Sequence, residues 1–277
     1  MLRLVSKHLI SDILAHGQYS SLLSRKMSHE QEMSHEHEFI ESHEQNYIDM
    51  NTFQKSVLTV GSGIWCLFDP TRADLISTFG EVSAGFALNH MYDAMSKTEE
   101  GQTILAEKPR INSKIIDLNE LKTLPDNTVG KIYSDFLETN KVTPDSRLPV
   151  QFIRDTELAY VMQRYREIHD LVHAVLKQPT NMLGEVTIKW VEGIQTKLPM
   201  CVTGGLFGAM RLRPKQRKRY REENLPWAIR TGRTSKMFMN VYFEKRWEQS
   251  LEDFYREMNI TPLVSKYAKK SGKAVKT

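Results

Sequence analysis

The residues of this chain best suited to chemistry lie in one short run, Arg166-Glu-Ile-His169-Asp170-Leu-Val-His173. His169 and His173 are four residues apart, so on a helix their imidazoles share one face and can share a metal ion. Asp170 stands on the neighbouring edge of that face. Glu185 follows His173 by twelve residues. After His173 a helix has about one turn left, roughly 6 Å, before Gln178-Pro-Thr-Asn181 reverses the chain. Glu185 then comes one turn into the return helix, and in an antiparallel pair it stands level with His173. Two nitrogens and two carboxylates converge in that arrangement, a set suited to zinc or another divalent transition metal. The same residues also have a plainer reading. Arg166 with Asp170, and Glu185 with Lys189, are i,i+4 ion pairs of the kind found on solvated helix faces. Two enzyme classes fit poorly. The metalloprotease pattern H-E-x-x-H is not met, because Asp170 replaces the glutamate base. A dinuclear phosphohydrolase needs more ligands than His90, the one upstream histidine of the folded part, can supply.

The elements that must position these groups are helical. Leu158, Val161, Tyr165, Ile168, Val172 and Val175 form one apolar stripe from Thr156 onward, and Pro179 ends it. Leu183, Val186, Trp190 and Ile194 outline the return helix. Upstream, Phe53–Phe68 reads as an apolar helix, Ala73–Phe79 as one stopped by Gly80, and Val82–Ser96 as another. Phe238, Val241, Lys245, Leu251, Phe254 and Met258 predict a last amphipathic helix. Alternating strand patterns are scarce, so the fold class expected is all-α, with a single helical domain over residues 51–265.

The ends differ from this domain. Residues 1–26 carry Arg3, Lys7, Arg25 and Lys26 against Asp12 alone, with five serines and an amphipathic pattern, the composition of a mitochondrial transit peptide. Residues 27–50 are an acidic, histidine-rich tract with three Ser-His-Glu triplets, expected to be a disordered spacer; metal binding by this tract is the alternative. Residues 266–277 form a basic tail. Without the leader, the formal charge of +4 falls to 34 bases against 33 acids. Two cysteines exclude a disulfide scaffold. The longest uncharged runs, Ser56–Phe68 and Leu198–Met210, have thirteen residues each, short of the ~20 needed to span a bilayer. After the second run come Arg211, Arg213, Lys215, Arg217, Lys218, Arg219 and Arg221. A glycine-bearing apolar segment beside a basic block suits an anionic membrane surface. Nucleic acid is discounted, since Glu222 and Glu223 follow directly and the remaining chain is near neutral. A solvated helix face is the other reading.

H-D-x-x-H followed by eleven residues and a glutamate, as His169, Asp170, His173 and Glu185, resembles the signature of the coenzyme Q biosynthesis protein 4 family. The run Leu158-Ala-Tyr-Val-Met-Gln-Arg-Tyr-Arg-Glu-Ile-His-Asp, with Asn181-Met-Leu-Gly-Glu, Leu198-Pro-Met and Phe68-Asp-Pro, extends the resemblance over roughly residues 50–265. The resemblance implies an all-helical mitochondrial protein on the matrix side of the inner membrane, within a multisubunit ubiquinone-synthesis complex. It implies Zn(2+) at His169, Asp170, His173 and Glu185. The activity implied is C1-decarboxylation of 4-hydroxy-3-methoxy-5-polyprenylbenzoate, with or without coupled hydroxylation at that carbon. A non-catalytic scaffold or prenyl-lipid-presenting protein is the alternative. For the chemistry, Asp170 is a candidate proton donor to the ring, and Arg166, one turn before it, a candidate anchor for the substrate carboxylate.

Overall fold

The stripe that begins at Leu158 predicts a helix with one buried face. In the computed structural model, which describes residues 36–69 and 72–267, this helix is buried all round. Every residue from Ala159 to Val175 is withdrawn from solvent, including seven that are polar or charged. A helix with that composition can be central only if each buried charge finds a partner. Arg164 meets Glu244 and the Val241 carbonyl. Arg166 meets Glu81 at 2.6 Å. Glu167 accepts from Arg110 at 2.7 Å and from the Ile111 amide at 2.8 Å. The stretch is therefore the axle of the molecule.

Around it, in chain order, stand α1 (36–46), α2 (Thr52–Phe68), α3 (Ala73–Val82), α4 (Gly85–Met95), α5 (Glu99–Glu107), α6 (Leu118–Thr123) and α7 (Val129–Asn140). The axle is α8 (Thr156–Val175); α9 (Met182–Thr196), α10 (Pro199–Met210), α11 (Pro214–Arg219), α12 (Leu225–Thr234) and α13 (Leu251–Met258) follow. Helices α4, α7 and α9 lie against α8, while α10 and α12 pack on α9. Among the described residues there is no strand, only an isolated bridge between Thr128 and Ser250. The all-α expectation holds.

Three expectations are corrected. The acidic tract is not wholly without structure: residues 36–46 are helical, and Phe39 and His43 are buried. Phe39 meets Tyr160 edge-on at 5.5 Å and lies under the Arg110 guanidinium, while Lys108 neutralises Glu36 at 2.9 Å. The core thus supplies what the tract's own composition lacks. The leader (1–26), the start of the tract (27–35) and most of the basic tail (268–277) lie outside the described residues. Gly80 does not end α3, which runs on to Val82. Instead it admits Met200, whose sulfur would stand 2.9 Å from a Cβ there. The last amphipathic helix is broken. Phe238–Asn240 and Phe243–Lys245 are single 3-10 turns, and only Leu251–Met258 is α-helical. The carbonyls of Trp247 and Gln249 are taken by the Gly130 and Val129 amides at the open end of α7. A continuous helix would have consumed those carbonyls itself.

Candidate metal centre

The α8–α9 hairpin turns in six residues, and its sequence explains how. Lys177 adopts the left-handed conformation (φ 51°) and the Gln178 amide bonds back to the His173 carbonyl at 2.9 Å, closing α8. Asn181 caps α9, its Oδ1 accepting from Leu183 and Gly184. Gly184 is obligatory, since a Cβ there would lie 1.8 Å from the Pro179 carbonyl oxygen. The next residue is Glu185, which the tight turn brings back over α8.

His169, His173 and Glu185 meet with their ligand atoms all within 4.8 Å of one another. His173 Nε2 is 3.5 Å from Glu185 Oε1, and His169 Nε2 is 3.8 Å from Oε2. Two atoms each about 2.0–2.1 Å from a tetrahedral zinc stand roughly 3.3–3.4 Å apart, so the spacing suits ligands of one ion better than it suits hydrogen bonds. The far ring nitrogens set the tautomers. His169 Nδ1 lies 2.5 Å from Glu192 Oε1, and His173 Nδ1 donates to the Gln178 carbonyl at 3.1 Å. With Nδ1–H given to these acceptors, both Nε2 lone pairs face the Glu185 carboxylate. His173 Nε2 is buried and has no hydrogen-bond partner. Acceptors facing acceptors in a buried site call for a cation, and the donor set fits a divalent metal.

A buried network stands behind His169. Glu192 Oε2 accepts from Lys189 at 2.8 Å and from the Tyr165 hydroxyl at 2.9 Å, and Lys189 also donates to that hydroxyl. Burial opposes the Glu192 charge, but His169 and Lys189 outweigh it and hold the carboxyl well below its usual range. Burial likewise opposes charge on His169, yet Glu192 beside it raises the imidazole's pKa. Glu185 is also driven low: His169 and His173 more than offset its burial. Burial pushes the Cys201 thiol up to about 12, which makes it a packing group rather than a nucleophile. Further out, Asn224 reaches Thr187 at 3.0 Å and the Gln178 side chain at 3.4 Å. Asn224 comes from Tyr220–Asn224, a π-helical turn linking α11 to α12.

The i,i+4 pairs do not form. Arg166 turns away from Asp170 and gives its guanidinium to Glu81, the Ser77 carbonyl and the Leu148 carbonyl. Its donors are committed to holding the fold, which removes it as the carboxylate anchor. Asp170 is not within the His169–His173–Glu185 group; its Oδ1 accepts from Arg147 Nη2 at 2.5 Å. Lys189 serves Glu192 rather than Glu185. Of the residues that sequence reasoning missed, Glu192 had a signal: it lies seven residues after Glu185 on the same face of α9. Arg147 had none.

The fold and the site together define a class: an all-helical protein with a two-histidine, one-carboxylate group held between an antiparallel helix pair. Residues 44–264 match the family described as coenzyme Q (ubiquinone) biosynthesis protein Coq4, and the chain belongs to that family. It is 54% identical over 248 residues to the Bombyx mori "Ubiquinone biosynthesis protein COQ4 homolog, mitochondrial", covering 90% of this chain and 92% of that relative. The Drosophila ananassae protein of the same name is 53% identical over 216 residues, 78% of this chain and 81% of its own. A crystal structure of a Nostoc punctiforme PCC 73102 protein superposes with a TM-score of 0.59 at 18% identity, covering 76% of this chain and 98% of that one, and supports the fold. Membership places the chain in ubiquinone biosynthesis.

Proposed function

We propose that the chain is a metal-dependent decarboxylase that removes the C1 carboxyl of a 4-hydroxy-3-methoxy-5-polyprenylbenzoate. The observation that carries this reading is the His169–His173–Glu185 group, two buried histidines with Glu185 at the rim, and its orphaned His173 nitrogen. His169, His173 and Glu185 would hold the ion, zinc being the first choice, and Asp170 has a second carboxylate oxygen to offer at its edge. A bound divalent ion supplies Lewis acidity that polarises an oxygen of the substrate. Loss of carbon dioxide requires a proton on the ring carbon that bears the carboxylate, and the para oxygen delocalises the resulting charge. Asp170, beside His169 in sequence and bonded to Arg147, would carry that proton. Purified full-length protein is expected to carry about one divalent ion per chain and to release carbon dioxide from the prenylated acid. A protein that binds prenyl lipid and partner proteins without turnover would instead be the scaffold; that outcome sinks the decarboxylase reading.

We further propose attachment to an anionic lipid surface, on the matrix side of the mitochondrial inner membrane, beside other ubiquinone-biosynthesis proteins. No described helix is long and apolar enough to cross a membrane. Yet α2 exposes Phe53, Val57, Val60, Ile64 and Phe68 along one face, and α10 exposes Leu206, Phe207 and Met210. Arg211 joins the two helix ends by donating to the Leu67 carbonyl. The exposed bases of the 211–221 run begin there. The α10 glycines serve packing rather than a flexible entrance: a Cβ on Gly208 would stand 2.7 Å from Val186, and one on Gly205 3.1 Å from Trp190. Each large apolar side chain withdrawn from water contributes about 1.5–3 kcal/mol, and each base near an anionic surface about 1 kcal/mol. The protein should float with vesicles containing anionic lipid, less so as salt rises, and Ile64→Asp should weaken flotation. Salt-insensitive or absent binding would remove the electrostatic part of this proposal.

A further inference from the structure

The geometry points to Arg147 as the receptor for the carboxylate of an aromatic acid at the metal centre. This inference rests on the reading of the site as one that takes an anionic ring substrate.

Three arginines stand around the middle of α8, and two spend most of their donors inside the fold. Arg164 is wholly buried and bound to Glu244 and the Val241 carbonyl, with its Nε left without a partner. Arg166 is bound to Glu81 and two carbonyls. Arg147 differs. Its side chain is 35% exposed, and its one hydrogen bond runs from Nη2 to Asp170 Oδ1. Its Nε–H is buried without a partner, as is that of Arg164, so what sets Arg147 apart is its exposure and its single hydrogen bond. A guanidinium has five N–H donors, so four stay free. Whichever edge Asp170 engages, the other keeps two parallel donors for a planar carboxylate.

Its position is as particular as its vacant donors. Asp170, which it holds, adjoins His169 in sequence, and the charge of Glu185 acts on Arg147 as well. The chain on both sides is pinned. Before it, Asp145 accepts from the Ser113 amide at 3.0 Å. After it, the Leu148 carbonyl takes Arg166 at 2.9 Å, and the Gln151 and Phe152 amides give to Glu81 at 2.8 and 2.6 Å. Arg166 therefore acts one step removed, by holding the segment that presents Arg147. The local charge also favours an anion. Glu185 and Asp170 bring two negative charges and Arg147 one positive, so a divalent ion leaves the site with a net positive charge that a monoanion complements.

The test uses full-length protein loaded with one equivalent of zinc, and two probes in detergent: 3-prenyl-4-hydroxybenzoate and its neutral carboxamide. Calorimetry should show wild type preferring the acid by roughly tenfold or more. Arg147→Gln should bind acid and amide alike while keeping zinc, its melting temperature falling to the extent that buried Asp170 loses its counter-charge. Arg147→Lys should retain part of the preference, having the charge without the fork. Three results overturn the assignment: no preference or no binding in wild type, a preference that survives in Arg147→Gln, or equal weakening of acid and amide by that change. Carbon dioxide release from the long-chain substrate, measured separately, distinguishes the two readings. Turnover with an unchanged KM in Arg147→Gln leaves the decarboxylase and removes Arg147. An acid preference that depends on Arg147 without turnover in wild type does the opposite.

Discussion

Replacing His173 by Ala is expected to lower zinc affinity by on the order of a hundred- to a thousandfold. Four-ligand zinc sites bind with apparent energies of about 10–16 kcal/mol, so one ligand's share is about 2.5–4 kcal/mol, and each 1.4 kcal/mol is about tenfold. Because His173 is fully buried, its removal also leaves a cavity, and the metal-free melting temperature must be read beside the affinity. Glu185→Gln avoids that complication. Glu185 lies at the rim of the site with its side chain 36% exposed, and the change removes charge while keeping size, so a comparable loss should come with little loss of stability. Glu192→Gln should fall between these variants and wild type, at about 10–100-fold. It touches no ion and acts by orienting His169 through the 2.5 Å contact. A competition titration against a chromophoric chelator measures all three. Zinc at about 100 times its dissociation constant should add about 2.7 kcal/mol to the stability of wild type and much less to His173→Ala. Wild-type affinity in all three variants would mean that the convergence of these side chains serves packing alone.

What could be read in advance follows from which interactions are local. His169 and His173 share a face by helical period, and Glu185 returns to them because the turn between is too short for any other path. All of that is written in fewer than twenty consecutive residues. The partners that make the site work come from elsewhere. Glu192 reaches His169 from two turns further along α9, and Arg147 reaches Asp170 from a link preceding α8. Such pairings depend on how helices pack, and no periodicity records them. The same limit explains why Arg166 was read as an anchor. Its true partner, Glu81, is 85 residues away, so its own helix leaves open both the i,i+4 pair with Asp170 and a free guanidinium for substrate. The Phe238–Met258 stretch fails for a related reason. Its apolar residues recur at helical spacing and are buried, yet its carbonyls at Trp247 and Gln249 are needed by α7. Local propensity lost to a tertiary demand on the backbone.

Glu81→Leu is expected to cost about 3–5 kcal/mol, the range for removing one member of a buried ion pair. Glu81, in the last turn of α3, is 3% exposed. Its Oε1 takes Arg166 at 2.6 Å, and its Oε2 takes two consecutive amides, Gln151 at 2.8 Å and Phe152 at 2.6 Å. Leucine leaves a buried guanidinium without its counter-charge and two amides without their acceptor. For a domain of this size each kcal/mol moves the melting temperature by about 2–4 °C, so a fall on the order of 10 °C is expected in thermal unfolding. The double change Glu81→Leu with Arg166→Met should recover part of the loss, because an apolar pair replaces an uncompensated charge. A variant within about 1 kcal/mol of wild type would show that water or rearrangement satisfies these groups. The effect should also reach the site without any contact there. Glu81 and Arg166 together fix residues 148–152, and this segment carries Arg147 on its leading edge. If Arg147 is the carboxylate receptor, Glu81→Leu should therefore weaken the preference for acid over amide while leaving zinc affinity unchanged, since Glu81 holds none of His169, His173 and Glu185.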